Sequence, residues 1–90
     1  MTLKLSEADL ASWLEELFDI HGYRWVHFRP ARVKRGDKDT YETPYTGSKG
    51  FPDYVACHPI KHRLLFVEIK SEDGKVGDEQ YDWLCDLKEC

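Results

Sequence analysis

Ninety residues make one domain, and a chain of that length buries only about 60% of the surface it exposes when unfolded, so its stability margin is thin. With 41% hydrophobic and 33% charged residues it has the composition of a folded protein. No apolar run approaches the roughly 20 residues that span a bilayer, and Met1-Thr2-Leu3-Lys4-Leu5-Ser6 lacks the apolar core of a secretory signal. A formal charge of −4 argues against a uniformly basic surface. Cys57, Cys85 and Cys90 are odd in number and form no Cys-x-x-Cys pair, which reads as reduced thiols in a cytoplasm.

Ser6-Glu7-Ala8-Asp9 opens a helix, with Ser6 as its cap and acids in the first turn. Leu10, Trp13, Leu14, Leu17 and Phe18 recur at three- and four-residue steps and form an apolar stripe that ends near Gly22. At about 100° per residue, Glu7 falls within the arc of Leu10 and Leu14, facing the rest of the fold, while Glu15 and Glu16 fall outside it. Tyr23 to Phe28 is rich in β-formers and reads as the first strand, stopped by Pro30. His27, inside that strand, reads as structural.

From Ala31 to Lys49 the chain is polar and broken by Gly36, Pro44 and Gly47, so a long loop is expected. Residues 24–38 hold Arg24, Arg29, Arg32, Lys34, Arg35 and Lys38 against one acid, Asp37. Such asymmetry gives an acidic protein a basic footprint, which Lys49 extends. Tyr41 and Tyr45 in the same stretch can stack on exposed bases or support the loop.

The chain is organised around residues 50–70. Two short apolar runs flank the polar segment His58-Pro59-Ile60-Lys61-His62-Arg63, and an antiparallel hairpin turning between Ile60 and Lys61 sets Asp53 opposite Glu68. Lys70 points to the same face as Glu68. Opposed residues bring their Cβ atoms within about 4.5–5.5 Å, and like charges placed so are destabilising without compensation. A divalent cation bound by oxygen ligands is the natural compensator. Val55, Cys57, Leu64 and Phe66 share the face of the two acids, and Tyr54, Ala56, Leu65, Val67 and Ile69 take the other, so both faces are expected to be covered around the third strand. Cys57-His58 with His62 lacks a second close pair and makes a poor zinc site. Ser71 to Gly77 is turn-rich, and a second helix runs from about Asp78 to Leu87 with Trp83, Leu84 and Leu87 on one stripe. Gln80 lies on that stripe and needs polar partners there.

Gly50-Phe51-Pro52-Asp53, then Val67-Glu68-Ile69-Lys70-Ser71, Gly74, and Gln80 followed by Trp83-Leu84 resemble the VRR-NUC (virus-type replication-repair nuclease) domain of the PD-(D/E)xK superfamily. The likeness is greatest to its small stand-alone phage and bacterial members and covers nearly the whole chain. The resemblance implies an α/β fold with a minimal restriction-endonuclease-like core: helix, three-stranded mostly antiparallel sheet, helix. The superfamily core continues into a fourth strand that no segment here supplies. The core is therefore expected to be minimal, trimmed, or covered at its open edge by a partner subunit.

The same resemblance implies a Mg²⁺- or Mn²⁺-dependent DNA endonuclease. Asp53, Glu68 and the Ile69 carbonyl would hold the metal, and Lys70 would hold the attacking water or stabilise developing charge. Glu7 would act through water or complete a second metal position, and Gln80 would orient Lys70, a water or a phosphate. Arg29-Pro30-Ala31-Arg32 and Thr43-Pro44 with Gly47 recur in related sequences. Arg29, Arg32, Lys34, Arg35, Lys38 and Lys49 are the expected contacts to DNA, unless their loop instead helps a second subunit dock. Stand-alone relatives act as homodimers on branched DNA, including four-way (Holliday) junctions, in recombination and repair within bacterial or phage-infected cells. The alternatives are a flap or single-strand nuclease, and a catalytically silent DNA-binding or assembly module that kept the fold.

Overall fold

The computed structural model describes residues 5–29, 31–42, 45–71 and 73–90. Among them the chain forms two helices and five strands: α1 (Glu7–Ile20), β1 (Arg24–His27), β2 (Ala31–Arg35), β3 (Lys38–Glu42), β4 (Tyr54–His58), β5 (Arg63–Val67) and α2 (Asp78–Lys88). β1, β4 and β5 make an antiparallel sheet in the order β1-β4-β5. This is the expected α/β arrangement, and among the described residues no fourth strand joins that sheet. No described helix is long and apolar enough to cross a membrane.

α1 is bounded by its own sequence. Ser6 Oγ accepts from the Asp9 N–H at 3.1 Å, and Asp9 Oδ2 accepts from the Ser6 N–H at 3.4 Å, a reciprocal capping box. At the other end Gly22 takes φ 77°, and the Tyr23 N–H donates to the Phe18 carbonyl at 2.8 Å. That is the six-to-one bond of a Schellman stop, with the Phe18 and Tyr23 rings in contact across it. The chain is thereby turned directly into β1.

The core lies between α1 and one face of the sheet. Phe18, Tyr54 and Ala56 are buried, with Ala11, Leu14, Tyr23, Trp25, Val67 and Ile69 packed around them. The expected stripe on α1 is therefore rotated. Trp13 (54% exposed) and Leu17 (52%) face outward with Ile20, and the buried face centres on Phe18. Around the helix, Glu15 lies only about 60° from Phe18, so it faces inward, against the expectation that it lies outside the inward arc.

The opposite face is covered at one end only. Phe51 meets Phe28, Phe66 and Trp83 edge-on, at centroid distances of 5.8, 6.0 and 5.0 Å, and so fastens α2 to the sheet. At the far end Leu64 is exposed, so two-sided cover of β5 holds near Phe66 and fails toward the turn. His58 is buried, accepts from the Lys61 N–H through Nδ1, and rests edge-on against Tyr23. It serves the turn, and Cys57 points to the other face of the strand. The three cysteines are free thiols.

The expected long loop is a second hairpin. β2 and β3 pair antiparallel with Arg35 opposite Lys38, and Gly36 takes φ 62° at the first central position of the two-residue turn, where a type II′ turn wants glycine. Its charged strands hide the period-two signal, but Gly-Asp between two five-residue runs was the available cue. Pro30, expected to stop the first strand, and Thr43-Pro44 lie outside the described residues, as do the side chains of Arg32, Arg35 and Tyr41.

Truncating the buried ring centre should expose the thin margin. Phe18→Ala is expected to cost about 3–5 kcal/mol in urea unfolding, whereas the outward Trp13→Ala should cost under about 1 kcal/mol. Equal losses would mean that α1 packs with a different face inward.

Candidate active site

Asp53 precedes β4 and Glu68 follows β5, so both acids stand where the hairpin ladder ends. The ladder pairs Tyr54 with Val67 and His58 with Arg63, and one step outward from the first pair sets Asp53 opposite Glu68. Here the carboxylates replace the strand-to-strand bonds. Glu68 Oε2 accepts from the Asp53 N–H at 3.2 Å, and Asp53 Oδ2 accepts from the Ile69 N–H at 3.3 Å. Each acid is fixed by the backbone of the other's strand. β1 secures Asp53 from the far side, where the Phe28 N–H donates to its carbonyl at 2.8 Å.

The second oxygen of Glu68 gathers the rest of the site. Oε1 accepts from Gln80 Nε2 at 2.5 Å and lies 3.4 Å from Lys70 Nζ. The Glu68 side chain is only 3% exposed. Burial raises its pKa above the ordinary carboxylate range, and the charge of Asp53 pushes the same way; Lys70 and the Asp53 N–H only partly offset them. The pair thus carries more negative charge than one lysine balances.

Gln80 has two tasks. Its Oε1 accepts from the Gly77 N–H at 3.0 Å and caps α2, while its amide nitrogen holds Glu68. Its partner is therefore Glu68, where the sequence pointed to Lys70, a water or a phosphate. Gly50 makes the approach of α2 possible. It takes φ 92°, and a Cβ there would sit 2.6 Å from the Glu79 carbonyl carbon and 2.8 Å from the Gln80 nitrogen.

Asp53, Glu68, Lys70 and Gln80 line an open cleft of about 590 Å³ between α1 and the strand ends. Glu7 lines it from the first turn of α1, its Oε1 accepting from the Ser71 N–H at 3.4 Å. Among the described residues no three His, Cys, Asp or Glu side chains converge as a ligand group, so Asp53 and Glu68 stand as a pair. Arg29 lines the same cleft. Lys34 and Lys38 are exposed on the second hairpin, and Lys49 is exposed just before Gly50. Two lining residues were not expected there. Glu15 accepts from the Tyr54 hydroxyl and lies 3.4 Å from His27 Nδ1. The alternation of β1 puts His27 on the same face as Trp25 and would have flagged it; Glu15 needed the true centre of the α1 stripe.

The family model of the VRR-NUC domain matches residues 4–90. The chain belongs to the VRR-NUC family. No curated protein and no solved structure matches it. VRR-NUC domains are nucleases of the PD-(D/E)xK type, and DNA is the substrate such a domain implies. Nucleases of this type generally use divalent metals, and the VRR-NUC site fits one. Its donors are oxygens, its charge surplus is negative, and a carboxylate pair leaves the rest of a coordination shell to water or phosphate, as Mg²⁺ prefers.

Gly50→Ala should push α2 off Glu68 and cost at least about 1–2 kcal/mol for the positive φ alone, read as a lowered urea midpoint. A second prediction concerns pH. Because Glu68 in the fold titrates above its ordinary 4.5, the unfolded chain binds fewer protons than the native one just above that pH. Metal-free stability therefore falls as pH rises through the interval from 4.5 to the folded value. In EDTA, wild type should lose more stability between pH 4.5 and pH 7 than Glu68→Gln, whose amide does not titrate. An equal or smaller wild-type loss over that interval would contradict this.

Proposed function

We propose that this VRR-NUC protein is a Mg²⁺- or Mn²⁺-dependent endonuclease that cuts branched DNA, four-way junctions foremost, as a cytoplasmic homodimer. The observation that carries the reading is the opposition of Asp53 and Glu68 at the open end of the sheet, with Lys70 and Gln80 on Glu68.

Asp53, Glu68 and the Ile69 carbonyl would hold the metal. When bound, the ion lowers the pKa of a coordinated water and draws charge off the phosphate. Lys70, 28% exposed at the cleft and 3.4 Å from Glu68, would hold the attacking water or meet the charge that develops on the phosphate oxygens. Gln80 keeps Glu68 from rotating away, and Glu7 acts from the cleft wall through water. Arg29 in the cleft, Arg32, Lys34, Arg35 and Lys38 on the second hairpin, and Lys49 before Gly50 contact the DNA backbone. Dimerisation is supported by the outward Trp13, Leu17 and Ile20 on α1 and by the thin core of a short chain. Two such sites related by a two-fold axis suit paired nicks on a symmetric junction.

The test is cleavage of a labelled four-way junction beside linear duplex, flap and single strand, in Mg²⁺, Mn²⁺ and EDTA. Wild type should nick the junction in either metal and do nothing in EDTA. Lys70→Ala should lose at least about 10²-fold in rate and still shift the junction in a gel. Binding without cutting in both metals would make the protein a silent DNA-binding or assembly module. Preference for flap or single strand would replace the junction as substrate.

A further inference from the structure

The cleft has a second end, of which the chemistry above uses only Arg29. Four side chains form a connected series there. Tyr54 is fully buried, and its hydroxyl donates to Glu15 Oε2. The same oxygen lies 3.4 Å from His27 Nδ1. The His27 ring stacks on Tyr54, with centroids 4.0 Å apart and planes 15° from parallel. Arg29 Nε donates to His27 Nδ1 at 3.3 Å. The series runs from the core to the cleft wall and ends on an exposed guanidinium.

Its charge pattern gives it a use. Of the described residues that line the cleft, Lys70 and Arg29 are the permanent cations, against the carboxylates of Glu7, Glu15, Asp53 and Glu68. Lys70 is engaged by Glu68. A polyanionic strand entering this cleft therefore finds one further fixed positive charge, at the end away from Lys70. An arginine on a flexible stem loses much entropy when it binds, and less when it is held beforehand. The His27 ring does that holding: its Nδ1 accepts from Arg29, and the ring is steadied by its stack on Tyr54, which Glu15 anchors.

We propose that Arg29 clamps a DNA phosphate next to the one being cut, and that His27, stacked on the Tyr54 ring that Glu15 anchors, is the positioning residue that aims it. The inference rests on the nuclease reading and gives its Arg29 contact a place, the phosphate beside the scissile one, and a residue that aims it, which together fix how the strand lies across Asp53 and Glu68.

The experiment measures cleavage kinetics in Mg²⁺ and DNA binding in EDTA over a salt series, on wild type, Arg29→Ala, His27→Ala, His27→Asn and the Arg29→Ala/His27→Ala pair. Arg29→Ala should raise KM about 10-fold or more, as loss of a charge-assisted bond does, with kcat nearly unchanged. The slope of log affinity against log salt should shrink by about 0.7–0.9, one phosphate's worth. His27→Ala should raise KM in the presence of Arg29 and have no further effect in its absence. His27→Asn should recover most of the loss, because its amide oxygen can accept from Arg29 as Nδ1 does. An unmoved salt slope in Arg29→Ala overturns the clamp while leaving the nuclease intact. Additive effects of the two substitutions, or a His27→Ala loss confined to melting temperature and kcat, overturn the positioning role. A wild type that neither binds nor cuts DNA sinks both this inference and the nuclease reading.

Discussion

Two carboxylates face each other at the end of a β-hairpin, and the rest of the molecule is arranged around the cost of keeping them there. Asp53 and Glu68 each accept a backbone N–H from the other's strand, so the like charges are locked in opposition by the same bonds that end the ladder. Opposed like charges weaken a sheet, and burial of Glu68 sharpens the effect. A site of this kind is stable only because its surroundings restrain it, and it attracts whatever neutralises it. That is the physical basis for reading it as a cation site: stability given up locally is recovered when ligand binds.

The two helices are tied to this centre by polar contacts as much as by apolar packing. α2 reaches Glu68 through Gln80, while Phe51 and Trp83 provide its apolar hold. Gly50 removes the side chain that would keep α2 at a distance. α1 reaches Tyr54, the neighbour of Asp53, through Glu15. Each helix therefore braces one side of the acid pair with a side chain that is itself anchored. Precision of this sort is what a hydrolytic site needs, since small displacements of the reacting groups cost large factors in rate.

Coverage of the sheet is uneven. Around Phe51 and Phe66 the sheet carries packed rings on one face and Val67 on the other. Toward the turn, Leu64 and Ile60 are open to solvent, far from the site and free of its demands. The outward apolar residues of α1 lie on the face opposite the core, where a second copy would have to meet them for the proposed homodimer to form.

Much of this was legible in the amino-acid order. The hairpin register follows from symmetry about a polar turn, so the Asp53–Glu68 opposition needs only the position of that turn and the two-residue period of a strand. Ser6 and Gly22 bound α1 by local bonding alone, and the Gly-Phe-Pro-Asp and Glu-Ile-Lys elements carry the family likeness. Other features depended on distance in space. Which face of α1 turns inward was decided by Phe18 fitting over Tyr54 and Ala56, because several apolar residues on the helix competed for the core and only packing could choose among them. That choice rotated Glu15 into the cleft and left Trp13 and Leu17 outside. The order of residues set which acids oppose each other; only the folded chain decided that Gln80 serves Glu68, that Gly50 lets it, and that His27 stands between Glu15 and Arg29, since those contacts join segments whose separation along the chain says nothing about their meeting.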